Sequence, residues 1–152
     1  MTIKYTTNVT TIIPEMLQGG FFVGWPNPPS SVAHLRILQG SYIAWVAIDT
    51  SANKVAGFIN AVSDGVMAAY IPLLEVLPEY QKKGVGKELT SRMLESLKNL
   101  YMVDLLCDED MQQYYTKFGM RKTTGVFARN YERQSCGSYL ILLAVTLQKY
   151  AM

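Results

Sequence analysis

Runs of apolar residues predict an α/β chain. Four early runs have the length and composition of strands, and polar turns between the last three favour an antiparallel meander; the runs cover residues 3–9, 42–49, 55–63 and 67–77. Before the meander, the pattern predicts a short helix from Pro14 and a second helix, capped by Ser30 or Ser31 and ended by Gly40. After it, the pattern predicts a helix at 84–99, a strand at 101–107, a helix at 109–118 and a hairpin through Gly125.

One proline interrupts the fourth predicted strand. Pro72 has no N–H to donate to a neighbouring strand, so we expect it at a bulge or where two strands part. The strand ends at Pro78 and leads into a turn that carries Gly84 and Gly86, where the next helix begins.

This glycine-bearing turn has the chemistry of an anion site. The first N–H groups of a helix have no acceptor within it and carry the positive end of its dipole, and glycines let a ligand approach the backbone. The basic side chains of the segment add charge: Lys82, Lys83 and Lys87. Because Gly86-Lys87 is followed by Glu88, and Leu89 replaces a third glycine, the turn is neither a Walker A loop nor a dinucleotide fingerprint. We expect this turn to bind a pyrophosphate group.

Two segments resemble motifs of the GNAT family of acyl-CoA N-acyltransferases. Gln81-Lys82-Lys83-Gly84-Val85-Gly86 matches the family's pyrophosphate loop, Q/R-x-x-G-x-G/A, and Leu74-x-Val76-x-Pro78 before it looks like the family's fourth strand. About thirty residues further on, the segment 114–120 is similar to the family's Y-x-x-x-G-F, with Met120 in place of the aromatic residue. The resemblance implies a single domain over 1–152 with a mixed, mostly antiparallel sheet of six to seven strands. About four helices would flank that sheet, which would be splayed between strands 4 and 5.

The resemblance also implies an activity: transfer of the acetyl group of acetyl-CoA to a primary amine, directly within a ternary complex and without a metal. Tyr115 aligns with the family's tyrosine that protonates the sulfur of CoA, whereas Tyr114 fits a core position. Asp108 stands where the family often has an asparagine that contacts pantetheine, and a helix cap is its simpler role. The residues that the resemblance places at CoA are Leu74, Val76, Gln81, Lys82, Lys83, Gly84, Val85, Gly86 and Lys87.

A general base is not evident in the sequence. Tyr70 fills a strand position where some members carry a glutamate, and the nearby carboxylates that remain are Glu75, Asp64 and Asp104. A base that acts through water is equally compatible with the pattern. The missing base leaves an alternative function open, a non-catalytic acyl-CoA-binding sensor or interaction module.

The sequence does not identify the acceptor of the acetyl group beyond a small-molecule or peptide amine. The segment from Phe21 to Trp25 is aromatic, which suits an apolar amine or a cation over a ring face, although covering the sheet edge is an equally simple role. His34 is expected to be an ordinary, partly buried histidine, and Cys107 a core thiol.

Composition narrows the partners further. A net charge of +2, with 49% hydrophobic and 17% charged residues, indicates a globular domain and gives no reason to expect nucleic acid or an anionic membrane. The first residues lack the apolar core of a secretory signal, so we expect a cytoplasmic protein. The extension 134–152 contains a nearly unbroken apolar run, 138–147, which is expected to pack on its own domain or across a homodimer interface.

Overall fold

A computed structural model describes residues 1–137 of the chain. Its strands are β1 (Ile3–Thr6), β2 (Ile43–Asp49), β3 (Lys54–Ser63), β4 (Ala68–Val76) and β5 (Met102–Asp104). Its α-helices are α1 (Ser31–Gly40), α2 (Val85–Leu97) and α3 (Glu109–Thr116). Single 3-10 turns lie at Val9–Thr11, Pro14–Leu17, Pro78–Tyr80 and Tyr131–Arg133.

The strands form one mixed sheet in the order β1-β2-β3-β4-β5, antiparallel except for the parallel pair β4–β5. The described residues thus hold five strands and three α-helices, where the resemblance predicted six to seven strands and about four helices. The predicted hairpin through Gly125 is also wrong: residues 120–130 form neither helix nor strand, and Val126 and Phe127 are exposed. The apolar run 138–147 lies outside the described residues.

Two apolar layers cover the sheet. On one face α2 buries Leu89, Met93 and Leu97 against β3 and β4, and on the other face Leu38 of α1 packs with Phe58 of β3. Because most of β3 is buried, it reads as a continuous apolar run rather than as an alternating one. The cap of α1 is confirmed, since Ser30 Oγ accepts a hydrogen bond from the N–H of Ala33 at 3.1 Å. No helix within residues 1–137 has the length and apolar character needed to cross a bilayer.

Pro72 lies at a bulge, as predicted. Asn60 of β3 pairs with Leu73, but Val62 pairs with Tyr70, so two residues of β4 face one residue of β3. On its other side, β4 pairs with β5 only over Ala68–Tyr70, opposite Met102–Asp104. Beyond Tyr70 the two strands are no longer paired, and among residues 1–137 no strand pairs with β4 on that side between Ile71 and Val76. This free edge leads directly to the glycine-bearing turn.

Candidate active site

The turn after β4 presents the start of α2 as an open helix end. Gly84 precedes the helix in the left-handed conformation, with φ of +86°, which a residue with a Cβ adopts only with strain. The next three N–H groups, of Val85, Gly86 and Lys87, have no acceptor within the helix, because its first hydrogen bond runs from the N–H of Glu88 to the carbonyl oxygen of Gly84; they can therefore bind an anion. A Cβ added at Gly84 would meet nothing within 4 Å, and one at Gly86 would lie 3.5 Å from Val76 Cγ2. Gly84 therefore leaves open space where a ligand would approach, whereas a Cβ at Gly86 would also lie 3.6 Å from the Tyr114 hydroxyl, in ordinary contact with the protein.

The polar side chains of the segment hold it in shape. Gln81 Nε2 donates to the carbonyl oxygen of Val76 at 2.9 Å, which ties the turn to the end of β4. Lys83 Nζ donates to the carbonyl oxygen of Glu79 at 2.7 Å, and Lys82 has a positive φ of 58°. The structure thus brings all nine predicted cofactor residues, Leu74 to Lys87, into one strand–turn–helix unit.

Helix α3 packs on this unit through Tyr114. Thr90 of α2 donates a hydrogen bond to the carbonyl oxygen of Gly86 at 2.9 Å, so its hydroxyl hydrogen is used. The hydroxyl of Tyr114, 3.0 Å from Thr90 Oγ1, is then the donor of that pair. Thr90 was not singled out from the sequence, and its position on the buried side of a helix carries no local signal of this role.

Tyr115, the next residue, has a different environment. It is half-buried, its hydroxyl forms no hydrogen bond among residues 1–137, and its ring meets that of Tyr114 edge-on at 5.0 Å. Burial, with smaller contributions from Tyr114 and Cys107, raises the pKa of the Tyr115 hydroxyl to about 12. The phenol is therefore protonated at physiological pH. Asp108 lies at the N-cap position of α3 but makes no side-chain capping hydrogen bond.

The carboxylates proposed as bases lie in three different settings. Asp64 accepts hydrogen bonds from three backbone N–H groups of its own turn, which lowers its pKa, and Asp104 is exposed at the end of β5. Glu75 is half-buried, and burial raises the pKa of its carboxyl group. Within residues 1–137 it forms no ion pair and accepts a hydrogen bond from the N–H of Phe22 at 3.3 Å. Of the three, only Glu75 combines partial burial with a raised pKa.

An aromatic segment faces Glu75. Glu75 lies between Leu74 and Val76, whose side chains pack on the α2 face of the sheet, and it reaches Phe22 on the opposite face. Phe22 has a φ of +60° and is buried, and its ring packs against that of Trp25 at a tilt of 59°, with 5.1 Å between the ring centroids. The sequence could not reveal this contact, because 53 residues separate its partners.

His34 differs from its prediction. It is 1% exposed rather than partly buried, and its ring packs among Phe21, Phe22 and Phe58, with 4.4 Å to the ring of Phe58. Nε2 has no hydrogen-bond partner within residues 1–137, and burial lowers the pKa of the imidazole to about 4. His34 is thus a neutral member of an aromatic cluster. Cys107 is half-buried rather than in the core. Residues 1–137 contain no group of three or more His, Cys, Asp or Glu side chains arranged to bind a metal ion.

Comparison with known proteins agrees with this geometry. Residues 11–120 match the model of the acetyltransferase (GNAT) family, so this chain belongs to that family of acyltransferases. The chain is 42% identical to a protein from Deinococcus radiodurans R1 assigned as an acetyltransferase, whose crystal structure matches with a TM-score of 0.83 over 88% of this chain and 92% of that one.

Two further relatives extend the comparison. GCN5-related N-acetyltransferase 3, chloroplastic, from Arabidopsis thaliana is 32% identical over 94 residues, which are 57% of this chain; the match spans 40% of that relative's length. The fold is shared with the aminoglycoside N-acetyltransferase AAC(6')-Iy solved in complex with CoA, at 17% identity and a TM-score of 0.55 over 85% of this chain and 93% of that one. The family uses acetyl-CoA for acyl transfer.

Proposed function

We propose that this protein binds acetyl-CoA along the free edge of β4 and at the start of α2, and transfers its acetyl group to a primary amine directly within a ternary complex. The observation that carries the proposal is the continuity of the two binding features. The unpaired edge from Ile71 to Val76 can pair with the amides of an extended pantetheine arm, as an added strand would. The N–H groups after Gly84 can hold the pyrophosphate at the far end of that arm.

Acetyl-CoA supplies an activated thioester, and the chain supplies the rest of the chemistry. The backbone of β4 between Leu74 and Val76 can donate an N–H to the carbonyl oxygen as negative charge develops on it. Glu75, with its raised pKa and spare acceptor sites, takes the proton of the amine. Tyr115, which keeps its proton because its pKa is about 12, donates that proton to the departing sulfur.

Tyr115 and Tyr114 form a matched pair for testing this assignment. A phenol that acts in the transition state affects kcat, so Tyr115→Phe is expected to lower kcat roughly 10²- to 10⁴-fold with CoA affinity nearly unchanged. Tyr114→Phe removes the hydroxyl that donates to Thr90 and is expected to cost about 1 kcal/mol of stability, with kcat preserved. Release of CoA thiol measures kcat, and calorimetric titration measures CoA affinity. Equal kcat values in the two variants would refute the acid role of Tyr115.

The rival function, an acyl-CoA-binding sensor, also predicts CoA binding. The two functions are distinguished by supplying acetyl-CoA together with a panel of primary amines and measuring the release of CoA thiol in excess of the hydrolysis of acetyl-CoA without amine. An enzyme releases thiol in proportion to acetylated amine. Tight CoA binding without amine-dependent release, across the whole panel, would favour the sensor.

A further inference from the structure

Two consecutive residues of the turn that follows β4 are bonded to the β2–β3 hairpin. The hydroxyl of Tyr80 donates a hydrogen bond to Oδ2 of Asp49, the last residue of β2, at 3.0 Å. Glu79 forms an ion pair of 2.8 Å with Lys54, the first residue of β3. Because β2 and β4 both run antiparallel to β3, their ends lie at the same edge of the sheet, where the turn can reach the hairpin.

The two contacts differ in burial. Tyr80 is 7% exposed and Asp49 is 5% exposed, whereas the side chains of Lys54 and Glu79 are 29% and 50% exposed. An ion pair in contact with solvent contributes little, because water and salt screen it. A hydrogen bond to a buried carboxylate is strong, because its loss leaves a charge without solvation. The bond between Tyr80 and Asp49 is therefore the stronger attachment of the turn.

Asp49 remains a charged acceptor at physiological pH. Ser51 donates to Asp49 Oδ1 from its N–H at 3.0 Å and from its hydroxyl at 2.6 Å. These hydrogen bonds, with a smaller contribution from Tyr80, lower the pKa of the Asp49 carboxyl group to about 2 against the opposing effect of burial. Burial and the adjacent Asp49 raise the pKa of the Tyr80 hydroxyl, which therefore keeps the hydrogen that it donates.

Tyr80 also contacts one of the predicted cofactor residues. The ammonium group of Lys83 donates to the carbonyl oxygen of Glu79 at 2.7 Å and lies 5.9 Å from the centre of the Tyr80 ring. Between Tyr80 and Gly84, Lys82 has a left-handed φ of +58°. A strained conformation of this kind persists only where the surrounding structure holds it. On the β4 side of the turn, the buried side chain that holds it is Tyr80.

We propose that Tyr80 is a positioning residue of the cofactor site, whose hydrogen bond to Asp49 fixes the turn so that the N–H groups after Gly84 face the pyrophosphate of CoA. This inference rests on the proposed function and adds to it a residue that acts through the turn. The same bond fixes the ring that Lys83 contacts, so the ammonium group is directed to the same pyrophosphate. Loss of the Tyr80 hydroxyl should therefore weaken only ligands that carry a pyrophosphate.

The test compares two acetyl donors in the wild type and in Tyr80→Phe. Acetyl-CoA carries the pyrophosphate, whereas S-acetylpantetheine lacks it and keeps the extended arm and the thioester. We expect Tyr80→Phe to lower kcat/KM about tenfold for acetyl-CoA and less than twofold for S-acetylpantetheine, with kcat at saturating acetyl-CoA unchanged. Thiol release with one amine that the wild type acetylates measures both. A substitution that only loosened the domain would lower both kcat/KM values alike, and that result would overturn the inference.

Calorimetric titration gives a second readout that needs no turnover. Tyr80→Phe should bind CoA about tenfold more weakly, with the same loss for 3′-dephospho-CoA, which keeps the pyrophosphate. Unchanged CoA affinity, or a loss that 3′-dephospho-CoA does not share, would overturn the role of Tyr80 and leave the proposed function intact. Failure of the wild type to bind CoA would instead refute the proposed function together with this inference.

Ser51→Ala is the matched control. It removes a hydroxyl that donates to the same carboxylate at 2.6 Å, but Ser51 lies in the turn between β2 and β3. It should lower the Tm while CoA affinity stays within twofold of the wild type. Asp49→Asn removes the charge that accepts from Tyr80 and should weaken CoA at least threefold, so it provides the same comparison if Tyr80→Phe does not fold. Equal losses of CoA affinity in Ser51→Ala and Tyr80→Phe would show that Asp49 only stabilises the domain, and would refute the positioning role.

Discussion

A single methyl group on β3 is expected to disturb the proposed cofactor edge. Gly57 pairs with Val76 of β4, and a Cβ built on Gly57 would lie 2.8 Å from the carbonyl oxygen of Glu75. It would also lie 3.1 Å from Val76 Cγ2 and 3.3 Å from Leu89 Cδ1. The side-chain atoms can move by tenths of an ångström, but the oxygen belongs to the backbone of β4. Gly57→Ala therefore forces β3 and β4 apart at the end of the free edge.

The size of the effect follows from this overlap. Overpacking of a closely packed interior costs about 1–3 kcal/mol, and 1 kcal/mol shifts the Tm of a domain of this size by about 2–4 °C. Gly57→Ala should accordingly lower the free energy of unfolding by about 1–3 kcal/mol, measured by urea denaturation as a shift in midpoint with an unchanged m-value. Because Glu75 and Val76 move, the folded variant should also bind CoA about tenfold more weakly.

Gly40→Ala is the matched control. A Cβ at Gly40 would meet nothing within 4 Å, and Gly40 ends α1 without a left-handed φ. Alanine there restricts the unfolded chain and should be neutral or stabilising by up to about 1 kcal/mol. Equal midpoints for Gly57→Ala and Gly40→Ala would refute the clash. A destabilised Gly57→Ala protein with unchanged CoA affinity would instead refute the position of the cofactor on this edge.

Two further predictions concern the turn and the buried histidine. Gly86→Val should weaken CoA at least tenfold, or by about 1.4 kcal/mol, because its methyl groups would crowd Val76 and the Tyr114 hydroxyl, 3.5 and 3.6 Å from a Cβ at this position, and so shift the turn that presents the helix N–H groups. Calorimetry with the folded variant checks this, and unchanged affinity contradicts it. His34 has a folded pKa of about 4, below its ordinary value of 6.5, so the stability that it contributes is fully present above pH 6.5 and is lost as pH falls towards 4. That loss of stability amounts to about 3 kcal/mol, at about 1.4 kcal/mol per pH unit. It should be absent in His34→Phe when the free energy of unfolding is measured from pH 7 to 4. The same slope of stability against pH in both proteins would show that another group causes the loss.

Local chemistry explains why several features could be predicted from the sequence. A left-handed glycine before a helix, a serine cap and a proline without an N–H act on their nearest neighbours, so the turn at Gly84, the cap at Ser30 and the bulge at Pro72 all appear where predicted. The family resemblance added the order of the elements around them, and its GNAT assignment is confirmed by the match over residues 11–120.

The wrong predictions concern strands, whose formation depends on pairing with residues far away in the sequence. The strand predicted at 101–107 is shortened to Met102–Asp104, because it pairs with β4 only over Ala68–Tyr70, next to the Pro72 bulge. The hairpin through Gly125 had a turn residue and apolar flanks, but residues 120–130 pair with no strand among those described. A strand requires a neighbour, and no local pattern guarantees one.

The sequence by itself determined the strand–turn–helix that can hold a pyrophosphate, because all of its conditions lie in the continuous segment from Leu74 to Lys87. Tertiary structure alone decided which groups from distant parts of the chain contact one another around this strand–turn–helix. Packing brings the N–H of Phe22 to Glu75 across 53 residues and Tyr114 to Thr90 across 24, and it buries His34 among three phenylalanines. Burial then sets the protonation states on which the chemistry depends, since the energy of a charge depends on all groups that surround it and not on its neighbours in the chain.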